Sequence, residues 1–332
     1  MYQPDPNPVL TPSDLRDILY FTTNLARRAG DLILEGSKAI HGISAKDVGE
    51  KKNSVDLVTE YDVKVEELVK EEIGRMYPEF KFIGEESYSA GSQHPLTDEP
   101  TFCVDPIDGT TNFVHGFPFV CISIGLIYYK RPVLGVVFNP FLDQLYTGVK
   151  GQGSYLHTRG AQYKLPLAPP RPLPSLSQAL IAVEWGSDRS APQITAKSDS
   201  FLRLAGDPNP SASRGGDKAK VEGGKMAHSL RSMGSAALNF SMVAQGGLDL
   251  YWEIGCWPWD ICAGTVIAQE AGGLVTGSSK CSHNGDVTEE ILTGRKYVVI
   301  RAIGDTEEEK GRDAQKRIIR EFYESVEEVD PN

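Results

Sequence analysis

The 332-residue sequence predicts a layered α/β fold of α+β type, with grouped helices and sheets and no regular βαβ winding. Three observations predict it. Apolar residues recur at helical spacing near the N-terminus, strand-like runs then follow at meander spacing, and strands and helices alternate in the second half.

Ser13 can cap a first helix running to about Lys38, whose apolar positions Leu15, Ile18, Leu19, Leu25, Ile33 and Leu34 recur at helical spacing. A short extended piece, SVDLV, precedes a second amphipathic helix from about Thr59 to Met76, closed by Pro78. The period then changes. FKFIGEES and TFCVDPID read as strands ending in acids, and FVCISIGLIYY, PVLGVVFNP and QLYTGV read as meander strands. Residues 151–178, opened by Gly151 and Gly153 and rich in proline, read as loop. Beyond them ALIAVEW is a strand, MGSAALNFSMVAQGG a helix, LDLYWEI a strand, WDICAGTVIAQEAGG a helix and KYVVIRAI a strand. A charged helix is expected from about Thr306 to Glu327, and the Ser-, Gly- and Pro-rich stretch between Trp185 and His228 reads largely as a mobile surface insertion. The expected organisation is a disordered tail (1–12) and one two-lobed unit (13–328). Its lobes are about 13–178 and 179–328, with the insertion near 188–227.

Composition narrows the function classes. A formal charge of −11 argues against a nucleic acid or an acidic membrane as main partner, because phosphate backbones require basic patches. An anionic substrate needs local cations, metal ions or helix N-termini to offset that field. Cys103, Cys121, Cys256, Cys262 and Cys281 are odd in number and form no CxxC pair, so they read as reduced thiols. The scattered histidines give no zinc-binding spacing. The N-terminus lacks a signal-peptide pattern, and no apolar run reaches the ~18 residues of a membrane helix, so a cytoplasmic protein is expected.

Three apolar segments end in carboxylates: Glu85 and Glu86, Asp105 and Asp108, and Asp260. An isolated acid at such a place is ordinarily a turn or cap residue, and Asp260 ahead of ICAGTVIAQEAGG suits a helix N-cap. The Asp105–Asp108 pair differs, because Pro106 fixes φ while Gly109 frees the chain. Around that turn two side chains and the Ile107 carbonyl can meet a hard cation such as Mg²⁺, which takes oxygen ligands and bridges carboxylates to phosphate. Thr110 and Thr111 then place hydroxyls and N–H groups toward phosphate or water. Haloacid-dehalogenase phosphatases use Asp-x-Asp, with a spacing of two and an aspartate nucleophile. The spacing of three with an internal proline argues for attack by water and metal-assisted hydrolysis.

GEES at 84–87, DPIDGTTNFVHGFP at 105–118 and WDICAGTVIAQEAGG at 259–273 resemble, in order, the three signatures of the inositol monophosphatase family. VDLVTEYD at 55–62 and LRSMGSAALN at 230–239 support the match. The resemblance implies an αβαβα sandwich of the inositol monophosphatase and fructose-1,6-bisphosphatase type, a homodimer, and lithium-sensitive hydrolysis of a small phosphate monoester with two or three Mg²⁺ ions. It implies Glu85, Asp105 and the Ile107 carbonyl as ligands of one metal, and Asp105, Asp108 and Asp260 as ligands of a second. Glu85 and Thr110 would handle the water beside Asp105. Gly109, Thr110 and Thr111 would hold phosphate, and Asp62 would stand behind the metals. Gly234, Ser235, Ala236, Glu253 and Asp260 would face the substrate, with Glu253 accepting a hydroxyl. VEWGSDR at 183–189 and the long 185–228 region are similar to fungal members, including one from the quinate-utilisation cluster. Inositol monophosphate is the expected substrate. Histidinol phosphate, adenosine 3′,5′-bisphosphate or a non-catalytic regulatory role in quinate metabolism are the alternatives.

Overall fold

The computed structural model describes residues 10–41, 49–50, 57–92, 95–210 and 219–331. Helices α1 (Pro12–His41) and α2 (Glu60–Met76) come first, with the short antiparallel pair β1 (Gly49–Glu50) and β2 (Leu57–Val58) between them. Leu15, Ile18, Leu25 and Ile33 of α1 are buried, as the helical period requires. Thr59 caps α2, and Asp62 reaches back to the Thr59 amide at 2.8 Å.

A seven-stranded sheet follows in chain order. It consists of β3 (Lys81–Gly84), β4 (Thr101–Asp108), β5 (Cys121–Tyr128), β6 (Arg131–Asn139), β7 (Gln144–Val149), β8 (Gly153–Thr158) and β9 (Ala161–Lys164). Only β3 and β4 pair in parallel; the rest is an antiparallel meander. Helices α3 (Glu85–Ser89) and α4 (Thr110–His115) sit at the ends of β3 and β4. The second sheet has the order β11-β10-β12-β14-β13, from β10 (Leu180–Val183), β11 (Ser229–Arg231), β12 (Leu250–Ile254), β13 (Leu274–Thr276) and β14 (Lys296–Ile300). Its helices are α5 (Ala191–Ala205), α6 (Ala236–Gln245), α7 (Pro258–Glu270), α8 (Glu289–Thr293) and α9 (Gly311–Tyr323).

Three hydrophobic clusters establish the layers. Phe102 and Val104 of β4 join α1 and α2 in one, while Cys103 faces the other way into a cluster with α6, α7 and Tyr251. Leu250, Trp252 and Ile254 of β12 pack with Leu204 of α5 and Ile318, Ile319 and Phe322 of α9. The alternation of side chains along each strand thus yields helix, sheet, helix, sheet, helix, the expected αβαβα sandwich.

α7 is buried on all sides between the sheets. It lies in a trough of glycines. Gly125, Gly135 and Gly148 are register partners across β5, β6 and β7. A Cβ on them would stand 2.4 Å from Cys262 Sγ, 2.2 Å from Ala263 O and 2.9 Å from Ile267 Cα, respectively. No helix among the described residues is long and apolar enough to cross a membrane.

Several expectations are corrected. Residues 151–178 are not all loop, because they hold β8 and β9, which extend the large sheet, and a 3-10 turn at Leu176–Gln178. The 185–228 stretch contains α5, whose Ala196, Lys197, Ser200 and Leu204 are buried; its residues 211–218 lie outside the described part. The last helix is shorter, starting at Gly311 because Thr306 and Glu309 first close a turn. Of the expected tail, residues 1–9 lie outside the described part, and α1 already begins at Pro12.

Candidate active site

Glu85, Asp105, Asp108 and Asp260 come from three separate segments and line one cleft of about 520 Å³. β4 runs through both aspartates, and its pairing with β5 slips between them: Asp105 opposes Ser123 and Asp108 opposes Cys121. Three positions on β4 are therefore matched by two on β5, an irregularity between Asp105 and Asp108, where Pro106 has no N–H for the ladder. In a regular strand residues three apart face opposite sides. The irregularity lets both acids line the same cleft. The expected acidic turn after a strand is thus an irregularity within it, and the turn proper is at Gly109, with φ of +97°.

Glu85 is the first residue of α3 rather than a loop acid. Asp260 is not the N-cap of α7: Trp257 holds that position, and Asp260 accepts from the Trp257 amide at 2.6 Å. Asp108 is held by α6, accepting from Ala237 N at 2.7 Å, Ala236 N at 3.2 Å and the hydroxyl of Ser235, the N-cap, at 2.7 Å. Asp105 Oδ1 accepts from the Ile107 amide at 3.0 Å. Asp62 does not line the cleft. It stands behind Thr110, whose hydroxyl lies 3.2 Å from Asp62 Oδ1 and 3.1 Å from the Ile107 carbonyl.

These acids oppose one another's ionisation. Burial, then Glu85, Asp108 and Asp260, push the Asp105 carboxyl well above its ordinary range. Burial, then Glu85 and Asp108, raise Asp260 to about 8. Asp108 rises less, to about 6, because Ser235, Ala237 and Ala236 offset part of the burial. Among the described residues no three Asp, Glu, His or Cys side chains stand ready as a metal cage, and Asp105, Asp108 and Asp260 each accept from a main-chain amide. The donor set suits a hard divalent cation all the same: four carboxylates and the Ile107 carbonyl in one cleft, with a mutual repulsion that a cation would relieve.

The remaining expected residues share this cleft. Gly109, Thr110 and Thr111 form one wall; Gly234, Ser235, Ala236 and Glu253 form another. Glu253 lies within β12 and is buried, with its carboxyl raised to about 7 by that burial despite Lys197 nearby. Asn112 ties the two walls, donating to Phe119 O at 2.8 Å and Met233 O at 2.7 Å.

Two supporting acids escape the sequence reading. Glu66 accepts from the amides of Glu86 and Ser87, both at 2.7 Å, and so anchors the start of α3 behind Glu85. Glu184 accepts from the amides of Met233 and Gly234, both at 2.8 Å, and from Asn239 Nδ2 at 2.9 Å. A signal for Glu66 exists, since it is an acid on the buried stripe Asp62, Glu66, Val69, Ile73 of α2.

The profile described as the inositol monophosphatase family matches residues 14–327. The chain is 41% identical over 330 residues to Protein qutG of Emericella nidulans, covering 96% of each chain. Over 340 residues it is 36% identical to quinic acid degradation cluster protein x of Neurospora crassa, again covering 96% of each. Inositol monophosphatase 2 of Saccharomyces cerevisiae is 41% identical over 280 residues, 83% of this chain and 85% of that one. Among solved structures, the extragenic suppressor protein suhB of Bartonella henselae superposes with a TM-score of 0.67 at 26% identity, covering 93% of this chain and all of that one.

Proposed function

The chain belongs to the inositol monophosphatase family, and from that premise we propose that it is a Mg²⁺-dependent phosphate monoesterase releasing inositol and phosphate from inositol monophosphate. The observation that carries this reading is the convergence of four acids from three segments on one cleft, where burial and the neighbouring carboxylates raise Asp105, Asp108 and Asp260. Mg²⁺ held by Glu85, Asp105, the Ile107 carbonyl, Asp108 and Asp260 would polarise phosphate oxygens and acidify a bound water.

The chain's own groups do the rest. Thr110, whose hydroxyl has Asp62 and the Ile107 carbonyl as acceptors for its proton, keeps lone pairs free to orient the attacking water, and Glu85 takes a proton from it. Main-chain N–H groups and hydroxyls of Gly109, Thr110 and Thr111 hold phosphate oxygens, since the first N–H groups of a helix have no partner within it. Water adds to phosphorus as the ester P–O bond breaks, and the leaving alkoxide takes a proton from solvent water to depart as the alcohol; no phosphoenzyme forms. Gly234, Ser235 and Ala236 border the leaving alcohol, and Glu253 accepts one of its hydroxyls. A homodimer belongs to the same proposal and is read by sedimentation equilibrium.

The test is phosphate release from inositol 1-phosphate, histidinol phosphate and adenosine 3′,5′-bisphosphate, with and without Mg²⁺ and with lithium added. Inositol 1-phosphate should turn over fastest, and Asp105→Asn should abolish the Mg²⁺-dependent rate. Full activity in Asp105→Asn removes the metal assignment. No turnover of any ester despite bound Mg²⁺ removes the enzyme reading and favours the regulatory one.

A further inference from the structure

Behind the cleft wall, α5 carries a buried cation to the end of β12. Lys197 stands 3.8 Å from Glu253 Oε1, with the two side chains only 4% and 5% exposed. Its ammonium donates to main-chain oxygens: Trp185 O at 2.8 Å, Glu184 O at 3.1 Å and Ile254 O at 3.5 Å. An ammonium has three donors, so these carbonyls use them all. Lys197 therefore acts on Glu253 as a charge and not as a hydrogen-bond donor.

The hydrogen bonds of Glu253 come from elsewhere, the Ile254 amide to Oε1 and the Tyr251 hydroxyl to Oε2, each at 3.0 Å. Space for the ammonium depends on Gly186, where φ is +68° and a Cβ would stand 3.0 Å from Lys197 Nζ. Among the groups around Glu253, burial and Glu184 favour its protonated form, while Lys197, Tyr251 and the Ile254 amide favour its ionised form. Lys197 is the largest of the opposing influences. Glu253 lines the cleft and Lys197 does not.

Resting on the phosphatase reading above, we propose that Lys197 is a specificity-determining positioning residue. Its buried charge favours the ionised form of Glu253 as an acceptor at the cleft wall, so the site selects leaving alcohols that carry a free hydroxyl, polyols over aryl or plain alkyl alcohols. The chemical reason is that a hydroxyl donating to a carboxylate forms a charge-assisted bond roughly twice as strong as one to a neutral acid. A segment that reads in sequence as a surface insertion thus supplies the charge behind substrate choice.

The experiment compares inositol 1-phosphate with p-nitrophenyl phosphate in Mg²⁺ for the wild type, Lys197→Met, Glu253→Gln and the double variant. The double variant removes both charges and leaves no unpaired buried ion to threaten folding. Lys197→Met should lower the kcat/KM ratio of inositol ester to aryl ester about tenfold, chiefly through KM for the inositol ester. In the Glu253→Gln background the same change should leave that ratio where Glu253→Gln alone puts it. An unchanged ratio in Lys197→Met, or an equal further loss in the Glu253→Gln background, overturns the proposal. If the wild type hydrolyses neither ester, the phosphatase reading fails, and the charge claim is read by infrared spectroscopy at about pH 8. A protonated-carboxyl band that Lys197→Met gains over the wild type and the double variant does not supports the claim; no gain in Lys197→Met overturns it.

Discussion

Gly135→Ala should displace one of the candidate metal ligands without altering any acid. The added Cβ would stand 2.2 Å from Ala263 O and 2.7 Å from Ala263 C, whereas ordinary contact begins at 3.4 Å, so β6 and α7 must part by about 1.2 Å. The obstacle is helix backbone and cannot rotate away. Nor can α7 shift sideways, because Gly125 and Gly148 hold Cys262 and Ile267 equally close on either side. Overpacking of this kind costs ~1–3 kcal/mol. In a chain of this size that is a drop in Tm of roughly 1.5–4 °C. Asp260 lies three residues before Ala263 on the same helix, and a misplacement of ~1 Å in a reacting constellation costs on the order of a hundredfold in rate. Calorimetry measures the first effect and Mg²⁺-dependent phosphate release at saturating substrate the second. A variant that melts within a degree of the wild type and keeps more than half of its kcat would refute the claim that the glycine trough seats α7.

Gly74 of α2 offers the opposite case: nothing lies within 4 Å of its Cβ position, so Gly74→Ala should stabilise by ~0.5–1 kcal/mol, read as a higher urea midpoint at constant m. Glu66→Ala removes the acceptor shared by the Glu86 and Ser87 amides and should cost ~2–3 kcal/mol, with faster hydrogen exchange at Ser87 than in the wild type. Burial holds the folded-state carboxyls of Asp108 and Asp260 at about 6 and about 8, above their unfolded value of 3.8, so their contribution to metal-free stability is greatest at low pH and is lost as pH climbs through those values. Mg²⁺ competes with the same protons, so its effect on Tm should grow from pH 6 to pH 8; a shift that shrinks over that range contradicts binding at these acids. Glu253, raised to about 7, should lose its preference for polyol esters as pH falls below that value, seen as a rising KM for inositol 1-phosphate.

Helices α1 and α2 were legible because each buries one apolar face, and the meander from β4 to β7 because its strands are apolar and separated by turn residues. β9 escaped notice because all four of its residues are exposed, so no alternation marks it. α5 escaped for a different reason. Its buried stripe contains Gln193, Lys197 and Ser200, polar residues whose partners lie just after β10, on β12 and on the C-terminal segment. Hydropathy cannot distinguish such a stripe from a solvated one. Glu184 was hidden likewise, since its value as an acceptor depends on amides about fifty residues away.

The sequence by itself determined which groups are available for the proposed chemistry. The proline between two aspartates, the threonines after them and the acids of the two outlying motifs were all readable as oxygen donors for a hard cation and a phosphate. The tertiary structure decided where those groups point and what holds them there. It supplied the irregularity in β4 that puts Asp105 and Asp108 in one cleft, α6 reaching Asp108, the glycine trough under α7, and Lys197 behind Glu253. The division has a physical cause. Residue type and short-range spacing set local conformation and ligand chemistry, whereas direction, burial and charge state depend on neighbours brought together from distant parts of the chain.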